Sequence, residues 1–265
     1  MRGARSPAAK LAVSALATVL AATFIPAAHA QQGGTASPIY LGSMMAASGV
    51  QPVTDNQIFS HLLLNQLEDR STGSRNRFRW EGQGWIGTDY DRLWLKSEGN
   101  VNRTGTMSDG RQEALYGRAI STYFDLQAGV RTDLDSSRGR TWAALGVQGL
   151  AVYWFDLEAT VYASDSGHFA ARLEGSYDLL ITQRLILQPQ AELNFYSKDD
   201  RGRGVGSGLS SFDTGLRLRY EISRKFAPYV GVTYEERFGH SADFARREGE
   251  RAHDLRFVFG ARIWF

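Results

Sequence analysis

The sequence predicts an all-β fold, a transmembrane up-and-down antiparallel β-barrel of about twelve strands that follows a cleaved signal peptide. Three observations support this prediction. Apolar and polar residues alternate along most of the chain, long and short connections alternate between the predicted strands, and the chain ends on an apolar strand with a terminal phenylalanine. A side-chain period of two is the period of a β-strand.

The N-terminal thirty residues have the composition of a secretory signal peptide. Basic residues precede an apolar stretch over 11–24, and Ala28-His29-Ala30 has the small-x-small form of a cleavage site. An uncleaved membrane anchor is the alternative, which the short apolar run disfavours. We therefore expect residues 1–30 to be removed.

The composition changes twice after the signal peptide. Residues 31–56 are poor in aromatics and rich in Gly, Ser, Ala and Pro, which predicts a flexible periplasmic leader. Residues 57–265 mix aromatics, glycines and charges in short alternating segments and are expected to form the barrel.

Charge and cysteine content exclude several classes of protein. The chain carries 30 basic and 28 acidic residues, and the signal peptide removes three of the basic ones, so the mature protein is nearly neutral and no nucleic-acid partner is predicted. No cysteine is present, which excludes disulfides and thiolate metal sites. No later apolar run has the length of a membrane helix, so the mature chain could enter a membrane only as a closed barrel.

The strand prediction follows the alternation along the chain. In 124–131, for example, Phe124, Leu126 and Val130 share one face, and the polar residues share the other. We predict strands over 58–69, 77–88, 91–101, 111–120, 122–132, 140–150, 153–164, 168–180, 184–198, 211–222, 225–238 and 253–265. Pro189 lies inside the ninth of these and lacks the amide hydrogen of a strand residue, so we expect a bulge or a register break there.

The connections between these strands alternate in length. The longer ones fall over 70–76, 102–110, 133–139, 199–210 and 239–252, and the fourth in the series, over 165–167, is only about three residues. A membrane barrel has this pattern, with tight turns at the periplasmic end and longer loops outside. In a soluble sandwich nothing would place the longer loops on every second connection.

The last predicted strand has an unbroken apolar face that ends at Phe265. Bacterial outer-membrane proteins typically end in this way, whereas the alternative is an ordinary terminal strand that happens to contain phenylalanine. Taken with the signal peptide, the ending favours the outer membrane, with lipid as the partner of the apolar face.

The polar face of the barrel is expected to line its lumen with charges of both signs. The predicted inward set is Arg79, Glu81, Gln83, Arg92, Lys96, Glu98, Glu113, Asp125, Gln127, Arg131, Asp156, Glu158, Arg172, Glu174, Asp178, Gln188, Gln190, Glu192, Asn194, Arg217, Arg219, Glu221, Glu235, Arg237, Arg256 and Arg262. Two interpretations stay open: a paired network that plugs the lumen, and a polar conduit for a small charged solute.

The sequence contains no phosphate loop, dinucleotide fingerprint, zinc-protease motif or nucleophile elbow, so we predict that the protein is not an enzyme. Candidate metal ligands are Met44 and Met45 in the leader, and His61 and His168 in the barrel. Thioether sulfur suits Cu(I), and imidazole suits Cu(II) or Zn(II). The alternative is that such histidines, with His240 and His253, are polar rim residues.

Several long segments resemble the copper resistance protein B family. They are DNQIFSHLLLNQLE at 55–68, FRWEGQGWIG at 78–87, RLWLK at 92–96, YFDLQAGVR at 123–131, LILQPQAELN at 185–194, DTGLRLRYEI at 213–222 and APYVGV at 227–232.

This resemblance implies an outer-membrane protein that binds copper ions and contributes to copper export or sequestration. It also implies a periplasmic multicopper oxidase as a partner. Many members carry a long leader rich in Met, His and Asp, whereas the leader here offers only Met44 and Met45. Three hypotheses follow: a copper-handling barrel, a general small-solute channel, and a plugged structural barrel without specific copper binding.

Overall fold

The computed structural model describes residues 57–72, 76–102, 105, 107–134 and 139–265. The predicted signal peptide, the leader and the Met44-Met45 pair lie outside the described residues. The predicted barrel segment is therefore the part of the chain that the structure describes.

Antiparallel strands make up nearly all of this region. They are β1 (Phe59–Ser71), β2 (Asn76–Gly87), β3 (Asp91–Asn102), β4 (Met107–Ala119), β5 (Phe124–Asp133), β6 (Arg140–Ala151), β7 (Phe155–Ser164), β8 (Phe169–Ser176), β9 (Leu179–Leu180), β10 (Leu185–Tyr196), β11 (Gly208–Tyr220), β12 (Phe226–Arg237) and β13 (His253–Trp264). Each strand pairs with its sequence neighbour, as an up-and-down meander requires.

The sheet closes on itself where the first and last strands meet. Strand β1 pairs with β13, with Leu64 opposite Ile263, and the ring continues through β10 and β11. Strands β8 and β9 occupy one position beside β10, so the barrel has twelve strand positions. Closure removes every free sheet edge, which is the condition for spanning a membrane with strands. The predicted fold class is confirmed.

The predicted strands match the observed ones closely, and the largest differences lie at two strand starts. Strand β4 begins at Met107 and β11 at Gly208, each a few residues before its predicted start. The predicted connection over 239–252 contains a helix, α1 (Gly239–Arg247), which the sequence pattern did not indicate. Among the described residues, no helix is long and apolar enough to cross a membrane.

The bulge or register break predicted at Pro189 is absent, so this prediction was wrong. Pro189 pairs in register with Leu216 of β11, and the pairings of β10 on its other side also keep one register. The amide of Tyr177 donates to the carbonyl of Pro189 at 3.1 Å, and the proline cannot return that bond. The effect is a short gap between β8 and β9, without a bulge.

A bulge occurs instead in β1. Leu64 pairs with Gly82, and Gln66 pairs with Glu81, so Asn65 is an extra residue against β2. The pairing with β13 shifts register across the same residues. A bulge changes which face the following side chains occupy.

The two ends of the barrel differ in their connections. The turns over 88–90, 120–123, 152–154, 181–184 and 221–225 lie at one end, together with the first residues of β1 and the last of β13. The longer connections, over 134–139, 197–207 and 238–252, lie at the other end, where the connections over 72–75, 103–106 and 165–168 are as short as the turns. Because membrane barrels place short turns on the periplasmic side, we call the short-turn end the inner end and the other the outer end.

Candidate functional site in the barrel lumen

The alternation of the strands sends polar side chains into the lumen and apolar ones outward. In β5, Arg131 is 4% exposed, whereas Val130 beside it is 51% exposed on the outer surface. On β13, Phe257 and Phe259 are exposed outward, and Arg256 is buried inside. An apolar outer surface with charges inside suits a barrel surrounded by lipid.

Two cavities occupy the lumen among the described residues. The inner vestibule has a volume of about 820 Å³ and opens beside the short turns, where Tyr90 and Tyr123 line it. The outer vestibule has a volume of about 490 Å³ and lies among the longer loops, where His168 and Arg203 line it. Glu98 and Arg111 belong to the walls of both cavities, so the vestibules meet at these two side chains.

A group of paired charges surrounds this meeting point, and we call it the central belt. Its members are Arg79, Glu98, Arg111, Arg172, Glu174 and Glu192. Nη2 of Arg172 lies 3.0 Å from Glu98, 2.8 Å from Glu174 and 3.1 Å from Glu192. Nε of Arg111 lies 3.1 Å from Glu98, and Nη2 of Arg79 lies 3.5 Å from Glu192. The belt therefore joins strands β2, β3, β4, β8 and β10 across the lumen.

A second cluster of polar side chains is centred on Glu68, which is 0% exposed. Arg70 lies 2.7 Å and Arg217 3.0 Å from its carboxylate, and the hydroxyl of Tyr229 donates to it at 2.9 Å. Gln66 connects this cluster to the belt because it accepts a hydrogen bond from Nε of Arg79 at 3.1 Å.

The sequence-based inward set did not include Glu68, Arg70 or Arg111. In β1 the simple alternation places Leu62 and Leu64 on the same face as Glu68, and the bulge at Asn65 separates them. Leu62 and Leu64 pack with Leu67 and Ile263, whereas Glu68 binds lumen arginines. The mixed apolar and charged character of that face was the available signal for the bulge.

The inner vestibule carries more acidic than basic groups. Its acidic lining residues are Glu81, Asp89, Glu98, Glu113, Asp125, Asp156, Glu158 and Glu174, and its basic ones are Arg92, Lys96, Arg111, Arg172 and Arg262. In addition to the belt pairs, Arg92 pairs with Asp125 at 2.8 Å and Lys96 with Glu158 at 2.7 Å. The excess of carboxylates favours cations in this cavity.

Two of the outer connections narrow the outer vestibule. Arg203, in the connection between β10 and β11, reaches Asp133 on β5 at 2.7 Å. Helix α1 fastens to the same connection, because the hydroxyl of Ser241 accepts from the amide of Gly206 at 2.6 Å. Ser241 also shares a hydrogen bond with Ser210.

A histidine-carboxylate pair forms a second contact between helix α1 and the connection that joins β10 to β11. Nδ1 of His240 lies 2.7 Å from Asp199, and the amide of Ser207 donates to the same carboxylate at 2.7 Å. The hydrogen bond from the Ser207 amide, together with that from His240, lowers the pKa of Asp199 below its ordinary value.

The structure places the candidate metal ligands far apart along the chain and at different ends of the barrel. His61 is on β1 near the inner end, where its ring centroid lies 6.3 Å from that of Trp85. His168 precedes β8 at the outer end, where Nδ1 lies 3.0 Å from the hydroxyl of Ser166. No group of three or more His, Asp or Glu side chains in the described ranges is arranged to hold a metal ion.

One further thioether side chain, that of Met107, was not among the sequence-based candidates. Met107 at the start of β4 is 4% exposed and lines the outer vestibule with His168. Its position at a loop-strand boundary gave no pattern that distinguished it from a core residue. His240 and His253 are exposed at the outer end, as expected for rim residues.

A closed antiparallel barrel with a charged lumen and an apolar outer surface defines a bacterial outer-membrane β-barrel protein. Within that class, the chain belongs to the copper resistance protein B family. The family profile described as "Copper resistance protein B precursor (CopB)" matches residues 58–265. The resemblance noted in the sequence is thereby confirmed, as is the outer-membrane location.

Two curated relatives support this assignment. Copper resistance protein B of Escherichia coli is 49% identical over 213 residues, which are 80% of this chain and 72% of that protein. A copper resistance protein B homolog of Pseudomonas syringae pv. tomato (strain ATCC BAA-871 / DC3000) is 47% identical over the same lengths. Copper resistance protein B is not an enzyme family, and the lack of catalysis in this chain stays a prediction.

Among the solved structures that the chain resembles, the NanC porin agrees with the fold. The NanC porin has a TM-score of 0.50 at 14% identity and covers 77% of this chain and 99% of its own. The KdgM porin has a TM-score of 0.45 at 12% identity, over 79% of this chain and 99% of its own. At these identities the likeness concerns the fold alone.

Proposed function

We propose that this protein contributes to copper resistance by binding copper ions at the outer membrane, as a step in their export or sequestration. The observation that supports this proposal is the family match over 58–265 together with 49% identity to a curated copper resistance protein B. Copper is the cargo in this proposal, with lipid around the barrel and a periplasmic multicopper oxidase as a partner.

Chain connectivity favours the inner end as the copper-binding region. His61 is the third residue of β1, and Met44 and Met45 precede it by seventeen and sixteen positions. A leader with the flexibility that its composition predicts would span roughly 20 Å on average over that length, which supports a site formed by the leader sulfurs and the imidazole. A mixed imidazole-thioether set suits copper in either oxidation state better than it suits zinc. His168 belongs to a separate candidate site at the outer end, with Met107 as a thioether in the same vestibule.

The test is calorimetry on the refolded, tag-free mature protein with Cu(II) and, under reductant, Cu(I). Zinc is the control metal, and His253→Ala is the control variant because His253 is exposed on the outer end of β13. Saturable copper binding that is weakened by His61→Ala or by Met44→Ala/Met45→Ala supports the inner-end site. Weakening by His168→Ala alone moves the site to the outer vestibule.

The same variants are then expressed in a copper-sensitive Gram-negative host that lacks its own copy. Loss of copper tolerance in the variants that lost binding supports the proposal. Copper binding no stronger than zinc binding, with unchanged tolerance, would remove the copper-binding claim and favour one of the other two hypotheses.

Those hypotheses are a general solute channel and a plugged structural barrel. The two vestibules support a channel, and the paired central belt between them supports a plug. Ion conductance without a preference for copper favours the channel. Absence of both conductance and copper binding favours the plugged barrel.

A further inference from the structure

The side chains of the barrel wall, with no inserted domain among the described residues, fill the middle of the lumen. The inner and outer vestibules share Glu98 and Arg111 in their walls, and the central belt lies at that level. We propose that the central belt is a closed charge gate, and that the balance of its carboxylates and guanidinium groups determines which ions cross when it opens. This inference concerns the lumen itself and does not depend on copper as the cargo.

The first argument is charge balance. The belt contains three guanidinium groups, Arg79, Arg111 and Arg172, and three carboxylates, Glu98, Glu174 and Glu192, so its formal charge is zero. A neutral belt at the level where the vestibules meet attracts neither cations nor anions, and each group is held by an opposite charge. Removal of one sign leaves the other in excess at the point where the vestibules meet.

The second argument is the central position of Arg172. One nitrogen of its guanidinium approaches three carboxylates, from β3, β8 and β10, within 3.1 Å. Arg172 therefore keeps together three negative charges that would otherwise repel one another. Without it, Glu98, Glu174 and Glu192 would separate and face the lumen as a site for cations.

The third argument is that the belt is incompletely hydrogen-bonded. Arg111 is 5% exposed, yet its Nη1 has no hydrogen-bond partner among the described residues, and neither has Nε of Arg172. A buried donor without a partner is costly, whereas a donor that can exchange between acceptors allows rearrangement. The spare donors lie where the two cavities meet, so the pairs can change partners without movement of the strands.

Buried ion pairs also contribute little net stability because desolvation offsets their attraction. The strands of the barrel wall are held together by backbone hydrogen bonds, and the wall does not depend on the belt for its closure. Removal of one partner from a buried pair is nevertheless costly, so each belt variant is expected to be less stable than wild type and its folding is checked directly.

The experiment is planar-bilayer recording with the full-length mature protein under a potassium chloride gradient. Wild type is expected to show little steady conductance. Arg172→Gln is expected to raise conductance and to shift the reversal potential toward that of potassium. Glu98→Gln/Glu192→Gln is expected to raise conductance and to shift the reversal potential toward that of chloride.

The matched control is Arg237→Gln, the same change at a lumen residue of the outer vestibule that lies outside the belt. It is expected to keep wild-type conductance. Arg172→Lys restores the positive charge and is expected to reduce the cation selectivity of Arg172→Gln. Folding of every variant is checked by the shift in mobility of the unheated protein on gels, and Arg111→Gln replaces Arg172→Gln if the latter does not fold.

Three results would overturn the proposal. They are a large steady conductance in wild type, wild-type conductance in both folded belt variants, and the same ion preference in the two variants. Failure of copper binding leaves these readings unaffected, so the two proposals fail separately.

Discussion

At the residue scale, Glu68 illustrates how a single carboxylate connects several strands. It comes from β1 and binds Arg217 of β11 and Tyr229 of β12 in addition to Arg70 of its own strand. Complete burial removes water as an alternative partner. Arg217 therefore depends on this carboxylate for neutralisation, Arg70 divides its charge between Glu68 and Asp213, and Tyr229 depends on Glu68 as its hydrogen-bond acceptor.

We expect Glu68→Gln to lower the free energy of unfolding by about 3–5 kcal/mol, because it leaves two buried guanidinium groups without their shared charge. The measurement is equilibrium urea unfolding in detergent micelles, followed by tryptophan fluorescence. The matched control is Asp243→Asn, which removes a carboxylate from an exposed pair with Arg246 and should change stability by less than about 1 kcal/mol. Equal effects of the two substitutions would contradict the assigned importance of burial.

Inward residues such as Arg131 and Arg172 were predicted correctly because their strands keep a period of two. Arg111 was missed although it lies two residues from Glu113 on the same face of β4. They were not predicted across the bulge in β1, because a single inserted residue exchanges the faces, and the only sign of it in the sequence is that leucines and Glu68 share one face of the simple alternation. The partner of each charge could not be predicted from the sequence either. Glu98 of β3 and Arg172 of β8 lie close together because the closed barrel brings these two strands to face each other across the lumen.

At the element scale, the turn between β6 and β7 departs from the usual turn composition. Tyr153 and Trp154 have φ values of 66° and 65°, a region that glycine and asparagine occupy more easily. Both side chains are exposed, at 82% and 70%, at the inner end of the barrel. Aromatic side chains at this level suit the membrane interface, which offers a reason for their presence despite the strain.

We expect Tyr153→Asn/Trp154→Gly to raise the free energy of unfolding in detergent by about 1–2 kcal/mol, because it relieves left-handed strain at two positions. In lipid bilayers the gain should be smaller, because the aromatic contacts with the interface are lost. Val152→Asn in the same turn, at a residue outside the left-handed region, is the control and should not stabilise the protein. A gain of equal size in detergent and bilayers would remove the interface from this explanation.

The contacts of Asp199 predict that the stability of the connection between β10 and β11 depends on pH. The lowered pKa of Asp199 means that its ionised form stabilises the folded connection. This stabilisation is present above the ordinary pKa of aspartate, about 3.9, and is lost as the pH falls through the lowered pKa. The amide of Ser207 should therefore lose hydrogen-exchange protection in acid, after correction for the intrinsic exchange rate.

The neighbouring amide of Gly206 is the internal control, because its acceptor is the hydroxyl of Ser241, which does not titrate in this range. It should keep its protection over the same pH interval. Parallel loss at both amides would show that the connection unfolds as a whole and that Asp199 is not the cause.

Element types and order were predictable because each strand carries its own period and each pair of strands is separated by polar or turn residues. Helix α1 was not, since nine residues inside a long loop give no extended pattern. The consequence of Pro189 was also misjudged, because antiparallel pairing can lose one hydrogen bond on one side and keep its register.

At the scale of the whole molecule, one ring of strands separates two kinds of surface. The outer surface meets lipid, and the lumen holds paired charges. Buried in the lumen without partners, these charges would be unstable. The closed ring could be predicted from the alternation of loop lengths, whereas the division of the lumen into two vestibules could not. That division depends on side-chain lengths and pairings at one level of the barrel.

Closure of the ring depends on the end of the chain. The amide of Phe265 donates to the carbonyl of Leu62 at 2.9 Å, and the amide of Leu62 donates to the carbonyl of Phe265 at 3.2 Å. Deletion of Phe265 removes both bonds, which should lower the stability of the refolded barrel by about 1–3 kcal/mol. A loss of that size leaves the strand pairs above it in place.

We expect the same deletion to reduce the amount of protein in the outer membrane far more than its stability in detergent, because we expect the Phe265 side chain to act in barrel assembly as well as in closure. The measurement compares membrane yield in cells with the unfolding midpoint of purified, refolded protein. Phe265→Tyr keeps the backbone bonds and an aromatic ring and should assemble nearly as wild type does, whereas Phe265→Ser keeps the bonds and removes the ring. Normal yield for Phe265→Ser would assign the role of this residue to closure of the seam between β1 and β13 alone.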